Sequence, residues 1–129
     1  MQARGIRGAT SVEANTKEAI LARTRELLQE IVRANGIVKE DVACAFFTTT
    51  RDLNAEFPAA GARAMGWNEV ALLCGHEMEV PGALTGVVRI MLVVNTDKRP
   101  DEIQHVYLGE ARQLRPQFSG DGGAASGRV

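Results

Sequence analysis

The chain has 129 residues, 45% of them apolar, and a formal net charge of −1 at pH 7. This length suits one domain of about 100–150 residues, and a charge so close to zero provides no overall field that would attract nucleic acid or an acidic membrane. No apolar run approaches the ~20 residues of a membrane span, and the N-terminus lacks the apolar region of a signal peptide. We therefore expect a cytoplasmic globular protein that binds neither nucleic acid nor a membrane.

The opening of the chain predicts a short strand. Residues 4–10 carry Ile6 and Arg7 side by side, and neighbouring strand side chains point to opposite faces. Gly5 and Gly8 leave this strand with little to pack, and glycines in strands often mark close approach by backbone or ligand. Arg7 is therefore either a solvated edge charge or an anion clamp, and the strand alone does not decide between them.

Residues 15–35 give the clearest helical pattern in the chain. Asn15 is in position to cap the helix, Glu18 follows three positions later as in a capping box, and Gly36 suits a left-handed terminator. One face of the helix should cover a sheet, and it carries Ile20, Thr24, Leu27, Leu28 and Ile31.

The rest of the pattern alternates strands with one short helix. Strands are predicted at residues 42–50, 69–74 and 87–95, and a short helix at 58–65 begins at a proline, which is favoured at the first helical position. From Pro100 onward strand and helix patterns compete, and we favour a helical turn followed by an extended segment. The order β-α-β-α-β-β with a last irregular segment predicts an α/β fold with one mixed sheet, of which one face needs cover.

The end of the chain differs in composition from the rest. Residues 119–129 are rich in Gly, Ala and Ser and have almost no apolar bulk. Such a segment cannot bury enough apolar surface to offset the entropy that ordering costs. We therefore expect one folded domain over residues 1–118, followed by a flexible C-terminal tail over 119–129.

One charged residue interrupts the most apolar stretch of the sequence. Arg89 lies within residues 87–94, where all the remaining residues are apolar. This composition is typical of a strand covered on both faces. Strand alternation places Arg89 on the same face as Met91. A guanidinium does not lose its proton in proteins, so a buried one needs a carboxylate partner, such as Glu77, or an anionic ligand. From this stretch alone an ordinary core ion pair is the commoner alternative.

Several common chemistries have no support in the sequence. There is no P-loop, no dinucleotide-binding fingerprint and no Cys/His spacing typical of a metal site. His76 and His105 lie far apart, and His105 is interpreted as a structural hydrogen-bonding residue. Cys44 and Cys74 are interpreted as free thiols, with a disulfide as the alternative. The remaining arginines, carboxylates, Tyr and Cys suit the binding of a small polyanion, with neither a metal nor a cofactor.

Five segments of the chain match a known family in order and at family-like spacing. They are RGIRGAT-x-VE, FPA-x-x-A-R, C-x-x-E-M-x-V-x-G, R-[IV]-M and HVYL-x-x-A-x-x-LRP. No single segment is specific, but the ordered set covers most of the chain and closely resembles the AroH-class, monofunctional chorismate mutases.

The resemblance implies a fold and an assembly. Family members of this Bacillus type are homotrimers of mixed-sheet α/β subunits, whose sheets pack into a barrel-like centre with active sites at the subunit interfaces. A trimer of this kind would cover the second face of the predicted sheet. By the same resemblance, Phe57 and Arg63 of the FPA-x-x-A-R segment would reach the site from the neighbouring subunit.

The resemblance also implies a reaction of the shikimate-derived aromatic pathway, the Claisen rearrangement of chorismate to prephenate. Bonds break and form together in this pericyclic step, so no nucleophile, cofactor or metal is expected. Chorismate is a dicarboxylate whose ether oxygen gains negative charge as its C–O bond lengthens. A fixed cation at that oxygen stabilises the transition state more than the ground state, and holding the substrate folded lowers the entropic part of the barrier.

Residue roles are implied by the family motifs, position by position. Arg89 would be the cation at the ether oxygen, and Arg7 and Tyr107 would hold carboxylate. Glu77 would accept a hydrogen bond from the ring hydroxyl, and Cys74 would lie beside them as a hydrogen-bonding and packing group.

Other positions would complete the implied pocket. Phe57 and Leu114 would form its walls, and Arg63 would add positive potential at its mouth. Arg115 would either hold a C-terminal flap or be a plain surface charge.

Three places depart from the family pattern. Ala60 stands where a basic residue is frequent, and Leu73, a further candidate for substrate contact, stands where a polar Thr can occur. We expect these two changes to affect substrate capture more than the rearrangement itself. The Gly75-His76 pair also differs, and we have no physical account of it.

Two other classes of function compete with this prediction. The first is a non-catalytic trimeric small-anion binder of related fold, although a scaffold has no need of Arg7, Glu77, Arg89 and Tyr107 together. The second is an interface-site enzyme of the imine-deaminase type, which would lack the C-x-x-E and HVYL segments. The leading prediction is an isomerase acting on chorismate.

Overall fold

Five strands form one sheet in the computed structural model, which describes residues 1–114. The strands are β1 (Gln2–Ser11), β2 (Val42–Thr49), β3 (Ala71–His76), β4 (Val87–Thr96) and β5 (Val106–Leu108), and their order across the sheet is β3-β2-β4-β1-β5. β4 runs antiparallel to β1 and β2, whereas the edge strands β3 and β5 run parallel to their neighbours. The predicted mixed α/β sheet is confirmed. Arg115, the domain end at 118 and the tail over 119–129 lie outside the described residues.

Within residues 1–114, two α-helices and three 3₁₀ helices accompany the sheet. The α-helices are α1 (Lys17–Asn35) and α2 (Ala59–Ala64), and the 3₁₀ helices are Lys39–Asp41, Pro100–Glu102 and Gly109–Leu114. The predicted order of the first six elements is confirmed, although α2 is shorter than predicted and β3 begins and ends two residues later. No helix in this described part of the chain is long and apolar enough to cross a bilayer.

The segment after residue 100 is more regular than predicted. The expected helical turn is present at Pro100–Glu102, and the extended segment after it pairs with β1 as the short parallel strand β5. The 3₁₀ helix Gly109–Leu114 then follows, which the competing sequence patterns did not predict. Gly109 makes the turn between them with a φ of 58°, and a Cβ at this position would collide with the Ser11 hydroxyl. Both constraints favour glycine.

α1 covers one face of the sheet, as its periodicity predicts. Four large side chains on its inner face have no exposed surface: Ile20, Leu27, Leu28 and Ile31. Fully burying each of them contributes about 1.5–3 kcal/mol. Gly8 of β1 allows the helix to approach, since a Cβ there would lie 2.6 Å from Cδ1 of Ile31. This glycine therefore serves helix–sheet packing.

The caps of α1 fix where the helix begins and ends. Its N-cap is Thr16 rather than the predicted Asn15, because the Thr16 hydroxyl accepts a 3.1 Å hydrogen bond from the backbone N–H three residues later. The Asn15 side-chain oxygen instead accepts hydrogen bonds of 3.0 Å from the N–H groups of Asn54 and Ala55, which ties the start of the helix to the loop after β2. Gly36 ends the helix in a left-handed conformation, as predicted.

The second face of the sheet is not covered by residues 1–114. An apolar row crosses three neighbouring strands on this face, with Leu73, Phe46 and Met91 62%, 42% and 37% exposed. Residues 1–114 therefore cover β4 on one face only, whereas the sequence predicts cover on both. Large exposed apolar patches often mark protein–protein interfaces.

Candidate active site

Strand pairing collects charged and polar side chains on the open face of the sheet. Arg89 of β4 stands opposite Ala9 of β1 and Thr48 of β2. Arg7 of β1 stands opposite Met91, two positions further along β4. Directly opposed residues in antiparallel strands share a face. Arg7, Thr48 and Arg89 therefore all project away from α1.

Glu77 brings a carboxylate to this face from the loop after β3. Its backbone N–H donates to the carbonyl of Thr49 at 2.8 Å, which continues the pairing of β2 with β3 by one residue. Its Oε2 atom lies 3.5 Å from Nε of Arg89 and accepts a hydrogen bond from the Thr48 hydroxyl. The predicted proximity of Glu77 and Arg89 is confirmed. Their side chains are 29% and 34% exposed, so the pair is not sealed inside the core.

Four of the predicted site residues line one cavity of about 190 Å³, namely Arg7, Glu77, Arg89 and Tyr107. An adjoining cavity of about 180 Å³ shares Glu77 and Arg89 with it and adds Leu114. In the first cavity two guanidinium groups face a single carboxylate, so its lining has a net positive charge. The arrangement is suited to a small anion that also offers a hydrogen-bond donor.

β5 positions Tyr107 next to the strand that carries Arg7. Tyr107 pairs with Ala9 and packs in a small buried cluster with Ala9 and two further apolar residues. One residue before β5, Nδ1 of His105 accepts a 3.0 Å hydrogen bond from the backbone N–H of Arg7. The prediction of a structural role for His105 is confirmed, since its ring extends the β1–β5 pairing by one residue and ties Arg7 to the strand of Tyr107.

The pKa of His105 predicts a pH dependence of stability. Burial, together with the charge of Arg7, lowers this pKa from 6.5 to about 4. Between these two pH values the unfolded chain binds a proton that the folded chain does not, so the free energy of unfolding should fall as the pH falls from 6.5 towards 4. Above pH 6.5 His105 makes no contribution to the pH dependence of the free energy of unfolding, and below pH 4 its destabilising effect is complete.

The variant His105→Gln isolates this effect, because glutamine keeps a neutral acceptor for the Arg7 N–H. Urea unfolding of both proteins at several pH values should give a difference in the free energy of unfolding that changes between pH 6.5 and 4 and is constant above pH 6.5. Carboxylates that titrate in the same range cancel in this difference. Parallel curves for the two proteins would contradict the expected result.

Cys74 lies in a different cavity from the one the resemblance implies for it. It lines a cavity of about 390 Å³ together with Phe57, at the β3 edge of the sheet. Cys74 pairs with the buried Phe47, so strand alternation turns its side chain toward the helix layer, while the neighbouring Leu73 faces the open side. Within one chain Cys74 is therefore not beside Glu77.

Three other predicted residues lie outside the cavities that contain Arg89. Arg63 is exposed on α2, and neither Arg63 nor Phe57 lines the two cavities that contain Arg89. Leu73 is likewise absent from both cavities, although it lies on the open face. The structure thus places one group around Arg89 and puts Phe57 and Cys74 together in another cavity, while Arg63 and Leu73 line none of these three cavities.

Thr48 lines the cavity of Arg7 and Arg89 but is not among the predicted site residues. Its signal in the sequence is weak, because it is one of three consecutive threonines. Strand alternation places the side chains of Thr48 and Thr49 on opposite faces of the sheet, but it does not indicate which of them faces Arg89. That assignment needs the pairing of β2 with β4, which the structure provides.

Comparison with known proteins gives consistent matches along the chain. A family model described as chorismate mutase type I matches residues 3–118. A chorismate mutase AroH of Thermus thermophilus is 50% identical over 116 residues, which cover 89% of this chain and 95% of that protein. A chorismate mutase AroH of Bacillus subtilis (strain 168) is 45% identical over 120 residues, which cover 92% and 94% of the two chains.

A solved structure gives the same match in three dimensions. A chorismate mutase from Clostridium thermocellum superposes with a TM-score of 0.85 at 48% sequence identity, and the match covers 86% of this chain and 99% of that one. Sequence and fold therefore point to the same group of proteins.

Proposed function

The chain belongs to the type I chorismate mutase family, whose members are isomerases, and we propose that it converts chorismate to prephenate at a site centred on Arg89. The observation that carries this proposal is the cavity in which Arg7 and Arg89 face the single carboxylate of Glu77. Two cations suit a dicarboxylate, and the carboxylate offers an acceptor for a hydroxyl group. A role in cytoplasmic aromatic amino acid biosynthesis is part of the same proposal.

Arg89 supplies the electrostatic part of this mechanism. The closest contact of Arg89 with Glu77 is made by Nε, and in the described part of the chain the two terminal nitrogens have no hydrogen-bond partner. Their N–H groups are available for the ether oxygen as its C–O bond lengthens. Negative charge grows on that oxygen toward the transition state, so a fixed donor of positive charge lowers the barrier more than it strengthens substrate binding.

Arg7, Tyr107 and Glu77 supply orientation in the proposed site. Arg7 and Tyr107 hold carboxylate from adjacent strands, and Glu77 accepts from the ring hydroxyl. The hydrogen bond from Arg7 N–H to His105 fixes the backbone between these strands. A substrate held at both ends in a folded conformation reacts with a smaller loss of entropy. These steps need no nucleophile and no proton transfer.

We further propose that the site is completed in a homotrimer. The exposed row of Leu73, Phe46 and Met91 supports an interface along the open face of the sheet. Phe57 and Arg63 would then come from a neighbouring subunit, since neither lines the Arg89 cavities of its own chain. Because Cys74 shares a cavity with Phe57, we assign Cys74 to the same neighbour-side group.

The direct test is an assay of the purified protein with chorismate in the presence of a metal chelator and without added cofactor. We expect catalysed loss of chorismate absorbance with formation of prephenate as the product. Calorimetry with prephenate is the matching binding measurement. A non-catalytic anion binder would bind the dicarboxylate but leave chorismate to rearrange at its uncatalysed rate, and that result would refute the proposed function.

A further inference from the structure

We propose that Thr48 is a positioning residue that holds the Glu77 carboxylate in place for the substrate and prevents it from closing onto Arg89. The inference rests on the proposed function and adds a residue outside the five matched sequence segments. Thr48 has no charge, and it lines the same cavity as Arg7, Glu77, Arg89 and Tyr107.

β2 holds Glu77 at two points. The carbonyl of Thr49 accepts from the Glu77 backbone N–H at 2.8 Å, and the Thr48 hydroxyl donates to Oε2 of the Glu77 side chain. β2 lies between β3, which leads into Glu77, and β4, which carries Arg89. Thr48 is opposite Arg89 in this register. One residue of β2 therefore connects the carboxylate and the cation of the site.

The contacts of the Glu77 carboxylate are divided unevenly between its two oxygens. Among residues 1–114, the Thr48 hydroxyl donates to Oε2, Arg89 Nε makes its closest approach to the same atom, and Oε1 has no hydrogen-bond partner. An ionised carboxylate has about four lone-pair sites and no donor. Oε1 is thus left as the acceptor for the hydroxyl of a substrate bound in the cavity.

The distance between Glu77 and Arg89 shows what the Thr48 contact prevents. Charge-assisted N–H···O bonds are typically about 2.7–2.9 Å long, and arginine–carboxylate pairs are frequently bidentate. The observed Nε···Oε2 distance of 3.5 Å is longer than that. With the Thr48 hydroxyl removed, Glu77 can rotate into a two-point pair with Arg89. Such a pair would occupy both the acceptor for the hydroxyl and the donors for the ether oxygen.

The first test compares two substitutions of Thr48 with a matched control. Thr48→Val keeps the shape and loses the donor, and we expect kcat/KM for chorismate to fall by about 10- to 100-fold. Thr48→Ser restores the donor and should stay within about threefold of the parent protein. The control Thr24→Val makes the same change on the buried face of α1, where the hydroxyl has no partner among the described residues, and it should leave kcat/KM unchanged.

The second test asks whether Thr48 acts through Glu77. In a Glu77→Ala background the further change Thr48→Val should cost little, because the group that it positions is gone. The same comparison can be made on prephenate binding by calorimetry if turnover in that background is too slow to measure. An equal cost of Thr48→Val in both backgrounds would overturn the proposal, as would a melting temperature loss that accounts for the whole effect.

Failure of this inference is distinct from failure of the proposed function. A parent protein without catalysed loss of chorismate refutes the function whatever Thr48 does. A parent protein that rearranges chorismate while Thr48→Val behaves like Thr24→Val refutes the role of Thr48 alone.

Discussion

Replacing Arg89 by citrulline is expected to lower the turnover of chorismate on the order of 100- to 1,000-fold, equivalent to about 3–4 kcal/mol of transition-state stabilisation. Citrulline keeps the planar shape of arginine and loses its charge. The proposed role of Arg89 is to meet charge that develops on the ether oxygen, so the loss should fall on kcat. Binding of the dicarboxylate should remain measurable, because Arg7 and Tyr107 are unchanged.

The variant Arg89→Lys separates charge from geometry. Lysine places one positive charge but lacks the planar fork of donors that lets arginine address Glu77 and the substrate at once. We expect Arg89→Lys to lose much of the rate and the citrulline variant to lose far more. Single-turnover measurements of both variants give the rearrangement rate without the contribution of product release.

A purely structural ion pair between Arg89 and Glu77 predicts the opposite pattern. In that case Arg89→Lys would lower the melting temperature and leave turnover per folded site unchanged. Melting temperature and turnover should therefore be measured on the same preparations. Arg33→Lys is a suitable control, since Arg33 pairs with Glu30 on the exposed side of α1 and should affect neither quantity. A citrulline variant with near-parent turnover would end the electrostatic mechanism.

Local periodicity predicts the parts of the fold that one chain determines by itself. The apolar face of α1 follows from the spacing of Ile20, Leu27 and Ile31, and all three are fully buried against the sheet. Glu77 lies close to Arg89, as predicted, because a cation within an apolar strand needs a carboxylate partner or an anionic ligand. These predictions hold because their physical causes are short-range.

The sequence does not determine which molecule provides a given contact, so predictions that depend on this assignment fail more often. The composition of β4 indicates burial on both faces, but the sequence pattern does not tell whether the cover belongs to the same chain. For Cys74 the family motif implies proximity to Glu77, whereas strand alternation turns it toward Phe47 in its own chain. A family motif indicates which residues meet in the active site, but it does not indicate whether those residues come from one chain or from several.

The end of the described chain shows a different reason for a partial prediction. β5 has three residues, too few for a period of two to be distinguished from the period of a helix. Its pairing is stabilised by a side chain, because the ring of His105 accepts the Arg7 N–H at a position where a longer strand would offer a carbonyl. A side-chain acceptor that takes the place of a backbone carbonyl leaves no periodic pattern of apolar residues in the sequence.

Mixing the Arg7→Ala protein with the Arg63→Ala protein is expected to give turnover above the mean of the two separate preparations. In the single chain Arg7 lines the Arg89 cavity and Arg63 lies exposed on α2, so the proposed trimer would combine Arg7 of one subunit with Arg63 of its neighbour. In randomly mixed trimers at equal amounts, half of the subunits keep Arg7 and half of their neighbours keep Arg63. About a quarter of the sites should then be intact.

A second mixture gives different expected fractions for a shared site and for a site within one chain. When the double variant Arg7→Ala, Arg63→Ala is mixed with the parent protein, a shared site again leaves about a quarter of the sites intact, whereas a site within one chain leaves about half. Mixed trimers should be confirmed by native mass spectrometry after co-refolding, and turnover compared with the mean of the separate preparations. A first mixture that never exceeds this mean, or a monomer mass with full activity in light scattering, would assign the whole site to one chain and refute its completion by a neighbour.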